Sequence, residues 1–179
     1  MQLPVLRTPR LLLDALTLAD ADDVTRMASS FAIARMTVAV PHPYPAGAAA
    51  AWISTHATLR ERGSDLVWAV RHNQQLAGVM GLHQIVTGHR AEIGYWLGEN
   101  YHGLGLATEA LKAVSHWALG EGGLIRITGR HRAANPASGH VMTKAGFRLE
   151  GTLRRAHFHF GELDDTVLYG LLREDPDTA

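Results

Sequence analysis

Cysteine is absent from the 179 residues, which removes disulfides, thiolate zinc sites and a cysteine nucleophile together. Net charge is missing too: 17 Lys and Arg balance 17 Asp and Glu, so no global field draws the chain to nucleic acid or an anionic membrane. The 11 histidines add positive charge only below about pH 6.5. No apolar run approaches the ~20 residues of a membrane span, and residues 1–7 lack the apolar stretch of a signal peptide. These gaps lead to the expectation of a cytoplasmic protein, a single domain over residues 1–179 large enough to bury a core.

The most informative stretch is Asn100-Tyr-His-Gly-Leu-Gly-Leu-Ala-Thr-Glu-Ala110. Gly103, Gly105 and Ala107 keep side chains clear of the backbone just before an amphipathic helix, so N–H groups and the positive helix end can approach an anion, as a pyrophosphate requires. A Walker loop would end in Gly-Lys-Ser/Thr, which is lacking. A dinucleotide fingerprint would need Gly or Ala three residues after Gly105, where Thr108 stands, and a strand running directly into the first glycine. The alternative is a glycine-rich loop before an ordinary core helix.

Along the chain, residues 10–16 read as a strand. Asp20 then caps a helix burying Val24, Met27, Ala28 and Phe31. The proline-rich stretch 41–45 is an extended connector. A helix over 47–62 buries Trp52, Ile53 and Leu59 and stops at Gly63. Strands at 65–71, 76–85 and 91–97 form an antiparallel meander. A helix running to about Leu119 presents Ala110, Leu111, Val114 and Trp117 on one face. The strand at 124–130 completes a β-loop-α-β crossover, so it pairs in parallel. Asn135-Pro136 opens a further helix closed by Gly146. Two strands follow, 147–160 (interrupted near Gly151) and 165–172, before a frayed polar tail over 173–179.

Six local motifs in this order resemble the GNAT N-acetyltransferase superfamily, within it the Rim-type ribosomal-protein acetyltransferases. They are Thr8-Pro9-Arg10-Leu11-x-Leu13, Glu92-Ile-Gly-Tyr-Trp-Leu97, the glycine loop with Ala-Thr-Glu-Ala, Asn135-x-x-Ser138, Lys144-Ala-Gly-Phe147 and Glu150-Gly-x-Leu-Arg154, spanning about residues 8–172. The resemblance implies an α/β (α+β) fold. Its mixed, mostly antiparallel sheet of about seven strands is flanked by about four helices, with a splay between the fourth and fifth strands. It also implies acetyl-CoA as cosubstrate, a primary amine as acceptor, and a homodimer.

The family's acetyl-CoA motif, Gln/Arg-x-x-Gly-x-Gly/Ala, falls on His102, Gly103, Leu104, Gly105, Leu106 and Ala107, with Thr108 following; histidine replaces Gln or Arg at the first position. The resemblance further implies that the pantetheine arm pairs with the backbone around Tyr95, Trp96 and Leu97 and threads the splay.

Acetyl transfer needs a neutral amine, help for a developing oxyanion and a proton for the departing thiolate. An α-amine of pKa about 7.7–8.0 is already partly neutral at pH 7, whereas a lysine amine at about 10.4 is not. An N-terminal or weakly basic amine therefore needs only a modest base, and the resemblance implies a protein or peptide N-terminal α-amine as the acceptor. The alternatives are a small amine (polyamine, amino acid or antibiotic) or a non-catalytic acyl-CoA-binding module.

By resemblance, Ser138 is the proton donor and Asn135 contacts the cofactor or an ordered water. Ser138 could instead merely satisfy a first-turn group, and Asn135 could serve as a plain helix cap. Glu92 and His83 are the candidate bases, each equally readable as a salt-bridged or packed residue, and Glu150, Asp164 and Asp165 are outside candidates. Tyr44, Trp52 and Trp96 could line the acceptor site or belong to the core. His157-x-His159 lacks further ligands nearby in sequence, so no metal is expected. Arg154-Arg155 is too small a basic spot for nucleic acid.

Overall fold

The computed structural model describes residues 2–176. Its strands are β1 (Leu6–Arg7), β2 (Leu11–Ala15), β3 (Leu66–His72), β4 (Gln75–Val86), β5 (Arg90–Leu97), β6 (Arg126–Arg132), β7 (Arg148–His159) and β8 (Glu162–Leu172). Its α-helices are α1 (Ala21–Ala28), α2 (Phe31–Ala34), α3 (Ala48–Arg62), α4 (Leu106–Leu119) and α5 (Pro136–Lys144). The strands form one sheet in the order β1-β2-β3-β4-β5-β6-β8-β7. Every neighbouring pair is antiparallel except β5–β6. The mixed, mostly antiparallel sheet is thus as expected, with one strand and one helix more: the two-residue β1 and the four-residue α2 are too short to leave a periodic signal.

The alternation of β5 divides the interior in two. Ala91, Ile93 and Leu97 pack with Leu106, Leu111, Val114, Met142 and Phe147 under α4 and α5. Trp96 turns the other way, joining Ile53, Val67, Ala69 and Val79 under α1 and α3. Leu106, Leu111 and Val114 are wholly buried, each contributing roughly 1.5–3 kcal/mol through removal from water. Among the described residues no helix is long and apolar enough to cross a membrane.

The pairing of β5 with β6 stops early. It runs from Arg90↔Arg126 to Ile93↔Gly129, after which β6 keeps only its β8 partners, as far as Arg132↔Thr166. Residues 94–97 therefore part from β6 and leave a fork. Gly129 sits at its base, where a Cβ would stand 2.6 Å from Met142 Sδ and 3.1 Å from Ile93 Cγ2. The absent side chain lets those two residues close the base of the fork.

Several local expectations are corrected. Asp20 makes no cap bond to α1; its carboxylate instead accepts from Thr17 N–H at 2.8 Å and pairs with Arg71 at 2.8 Å. Phe31 is half exposed, because α1 ends at Ala28 and the chain turns before α2. Trp52 and Leu59 are only partly buried. The strand expected from 124 starts at Arg126, with Leu124 buried just before it. The register of β7 shifts near Gly151, as expected, and again between Leu153 and His157. The tail is held through 175: Arg173 N–H donates to Ile125 O at 3.1 Å and Arg148 pairs with Asp175 at 3.1 Å. Residues 177–179 lie outside the described residues.

Candidate active site

The fork exposes backbone. Gly98 N–H donates to Ala77 O at 2.8 Å, next to the register pair Gly78↔Leu97. Alternation along an antiparallel ladder then turns the N–H and C=O of Tyr95 and Leu97 away from β4, into the gap. The loop leaving β5 folds back on this edge, because His102 Nε2 donates to Leu97 O at 2.8 Å. His102, expected beside a phosphate, therefore ties the loop to the strand end. Tyr95 N–H, Tyr95 C=O and Leu97 N–H are left facing the gap without a ladder partner.

Gly103 and Gly105 both adopt left-handed backbone, at φ +75° and +77°, which side-chain-bearing residues reach only at a cost of about 1–2 kcal/mol. Gly105 is the residue before α4, and the first intrahelical bond is Glu109 N–H to Gly105 O at 3.1 Å. The N–H groups of Leu106, Ala107 and Thr108 thus precede any intrahelical carbonyl and point out of the helix start. The Leu106 side chain goes into the core and that of Leu104 stays half exposed, so the loop offers backbone to a ligand. A brace fixes it: Glu109 accepts from Thr8 Oγ1 at 2.6 Å, Arg10 N–H at 3.0 Å and Arg10 Nε at 2.6 Å, while Arg10 Nη1 donates to Leu104 O at 2.8 Å. Burial raises the Glu109 pKa, but the bonds from Thr8 and Arg10 outweigh it and hold the carboxyl below its usual range.

At the other side of the gap α5 begins. Asn135 Oδ1 accepts from Ser138 N–H at 3.3 Å, and Pro136 occupies the first turn. Ser138 Oγ lies 2.9 Å from Tyr95 OH, which also reaches Ser138 O at 3.1 Å. Burial pushes the Tyr95 phenol up to about 12, against the opposing effect of its Ser138 bond. The pair is therefore a neutral, hydrogen-bonded hydroxyl couple spanning the fork. Tyr95 was expected to act through its backbone only, and no spacing rule announces its hydroxyl's partner 43 residues away.

The two candidate bases lie on the opposite face of the sheet, directly across from each other in the register pair His83↔Glu92. Glu92 is ion-paired with Arg130 Nε at 2.8 Å. His83 Nδ1 meets Asp65 Oδ1 at 2.8 Å, which leaves Nε2 as the ring's other edge. That edge lies 3.3 Å from where a Cβ on Gly94 would stand and 2.7 Å from one on Gly81. The imidazole thus lies flat across β4 and β5, ending over the first residue past the fork. Trp96, Trp52 and Tyr44 pack against the cluster on this face.

Asp164 is tied to Arg132 at 3.2 Å and Glu150 to Arg126 at 2.5 Å. Asp165 accepts from Arg155 N–H at 2.8 Å. None of these three carboxylates reaches the fork. Among the described residues no group of three metal-ligating side chains occurs.

A strand fork with an open backbone edge, a glycine loop at a helix start beyond one end of it and a hydroxyl pair across it together form the candidate site. Residues 10–148 match the family model described as "Acetyltransferase (GNAT) domain", and the chain belongs to this family of acetyl-CoA-dependent acetyltransferases. It is 37% identical over 112 residues to the ribosomal-protein-serine acetyltransferase of Escherichia coli, covering 62% of this chain and 63% of that protein. It is 30% identical to the N-acetyltransferase YoaA of Bacillus subtilis, covering 95% and 97%. The fold matches that of RimL, a ribosomal-protein α-N-acetyltransferase solved with coenzyme A, at a TM-score of 0.85 and 23% identity over 95% of this chain and 97% of that one. The match to the E. coli relative thus spans a little under two thirds of that protein's length.

Proposed function

We propose that this chain transfers the acetyl group of acetyl-CoA to the N-terminal α-amine of a protein, the ribosomal-protein kind being the leading candidate. The observation that carries the reading is the fork. The free edge of β5 ends beside the glycine loop at one end and the Tyr95–Ser138 pair at the other. The amide groups of a pantetheine arm can pair with Tyr95 and Leu97 as a further strand would, while the N–H groups from 103 to 108 receive the pyrophosphate. The expected contacts at Tyr95, Trp96, Leu97 and 102–108 are then mostly backbone contacts. His102 contributes by fixing the loop, so its departure from the family's Gln or Arg is compatible with binding.

The amine approaches from the α1–α3 face. Asp65 holds the His83 Nδ1–H and so presents Nε2 as the proton acceptor. Glu92 is engaged by Arg130 at 2.8 Å and stands second as a candidate base. The amine nitrogen attacks the thioester carbonyl carbon, its proton passes to His83 Nε2, the C–S bond breaks, and the sulfur takes a proton from Ser138 Oγ, which Tyr95 OH replenishes or steadies. A thiolate of pKa about 8.5 needs only such a weak acid. A ribosomal acceptor also accords with a cytoplasmic location.

Thiol release from acetyl-CoA tests the reading with three acceptors: a peptide with a free serine or alanine N-terminus, the same peptide blocked at that end, and spermidine. Turnover with the free peptide alone is expected. Turnover with spermidine alone overturns the acceptor class, and acetyl-CoA binding without any turnover indicates a binding module.

A further inference from the structure

Three consecutive backbone carbonyls at the end of α2 are each held by a side chain from the C-terminal half. Ala34 O accepts from His159 Nε2 at 3.3 Å, Arg35 O from Arg132 Nη1 at 2.6 Å, and Met36 O from Asn135 Nδ2 at 3.4 Å. The three donors come from β7, from β6 and from the residue that opens α5. Ala34 O also accepts locally from Thr37 N–H at 3.2 Å and Thr37 Oγ1 at 3.1 Å, and a helix end can leave its last carbonyls to water, so nothing local requires the three long-range donors.

The central donor is the costly one. The Arg132 side chain is 4% exposed and shares its charge between Asp164 at 3.2 Å and Glu162 at 3.4 Å. A buried charge carries a desolvation cost of several kcal/mol, so burying a guanidinium to grip one loop carbonyl favours geometry over stability. The position explains the geometry. Asn135 joins Met36 O to the cap of the helix carrying Ser138, which puts residue 36 two hydrogen bonds from the proposed acid. From there the chain runs through 37–43 to Tyr44, on the face from which the amine arrives.

We infer that Arg132, Asn135 and His159 are positioning residues that set the acceptor-side wall, residues 34–36 and the segment after them, at a fixed distance from Ser138. The inference rests on the proposed transfer to a protein N-terminus. Arg132 and His159 direct their hydrogen bonds to residues 34–35, Asp164 and Glu162, not to β5 or the glycine loop, so variants of these two act on the acceptor side.

His159→Phe, which keeps an aromatic ring beside Phe160, and Arg132→Met are the test variants, with His159→Gln as the conservative control. His159→Phe is expected to raise the peptide KM about three- to tenfold, the effect of losing one hydrogen bond of ordinary net strength, and Arg132→Met, which also strips Asp164 and Glu162 of their partner, at least as much, with kcat within twofold and acetyl-CoA affinity unchanged by titration calorimetry. His159→Gln restores the peptide KM.

Amide hydrogen exchange on 37–46 supplies a readout independent of activity, and it should quicken in both test variants and not in the control. Unchanged exchange and unchanged peptide KM in folded, acetyl-CoA-binding variants overturn the clamp. So does an equal loss of affinity for acetyl-CoA and peptide, which marks general destabilisation. Failure of the wild-type protein to turn over peptide would instead overturn the proposed acceptor, while the exchange comparison still decides whether the clamp exists.

Discussion

The hydroxyls of Tyr95 and Ser138 stand 2.9 Å apart across the point where β5 leaves β6. One comes from a strand, the other from the first turn of a helix 43 positions later, and in the proposed mechanism the pair supplies the proton for the departing thiolate. Ser138→Ala should lower kcat about ten- to a hundredfold, at or below the usual range for general acid catalysis because a thiolate leaves readily. Tyr95→Phe should cost less, and the double variant little more than Ser138→Ala, since the two act as one unit. Steady-state rates with acetyl-CoA affinity measured in parallel check this; additive losses would show that the hydroxyls act separately.

The base makes a prediction of a different shape. His83→Gln should slow peptide acetylation about ten- to a hundredfold at pH 7. The loss should shrink toward pH 9, because an α-amine of pKa about 7.7–8.0 then loses its proton unaided. Asp65→Asn should show the same trend more weakly, by releasing the ring's tautomer and orientation. A pH-independent deficit would assign His83 to packing.

The loop brace is a donor-side feature. Arg10→Gln removes the grip on Leu104 O and half of the Glu109 ion pair, so acetyl-CoA should bind about three- to tenfold more weakly with the peptide KM unmoved. Arg10 is half exposed, and the effect should therefore fall as salt rises. Calorimetric titrations at two ionic strengths read both outcomes.

His56 supplies a stability test. Burial, then the nearby charges of His83 and Arg60, lower its pKa to about 4, with Asp65 opposing. Both ring nitrogens are buried with no hydrogen-bond partner among the described residues. A group with a depressed folded pKa contributes stability that is fully present above its unfolded value near 6.5 and is lost as pH falls through the folded value. The protein should thus lose up to about 3 kcal/mol between pH 6.5 and 4 on this account, less where solvent reaches the ring. His56→Phe keeps the edge-on packing against Trp52 and should both raise the melting temperature and flatten that acid limb. Thermal melts across the window decide it.

Much of this was legible in the sequence because it is local. The apolar runs of 65–97 and the polar turns between them forecast the meander, Asn135-Pro136 the helix start, and Gly103 and Gly105 the exposed loop backbone. The family's motifs place the fork on the right two strands. What escaped depends on pairings between distant residues. Asp20 looks like a helix cap until Arg71 is brought beside it by the β2–β3 pairing. Glu92 reads as either a base or a salt-bridged residue until the parallel strand delivers Arg130. His102 looks like a phosphate ligand until the loop's return sets it on Leu97 O. Arg132 carried no motif at all, since its role depends on three elements that meet only in the folded chain.

The central claim is transfer to an α-amine, and the most direct measurement is the site of modification on a single peptide. The substrate is a peptide with both a free serine N-terminus and an internal lysine, incubated with the protein and acetyl-CoA and mapped by tandem mass spectrometry. The account predicts one acetyl group on the α-amine, none on the lysine, and loss of the product with Ser138→Ala at matched acetyl-CoA occupancy. Acetylation of the lysine alone, or an unmodified peptide beside fully bound acetyl-CoA, would contradict it.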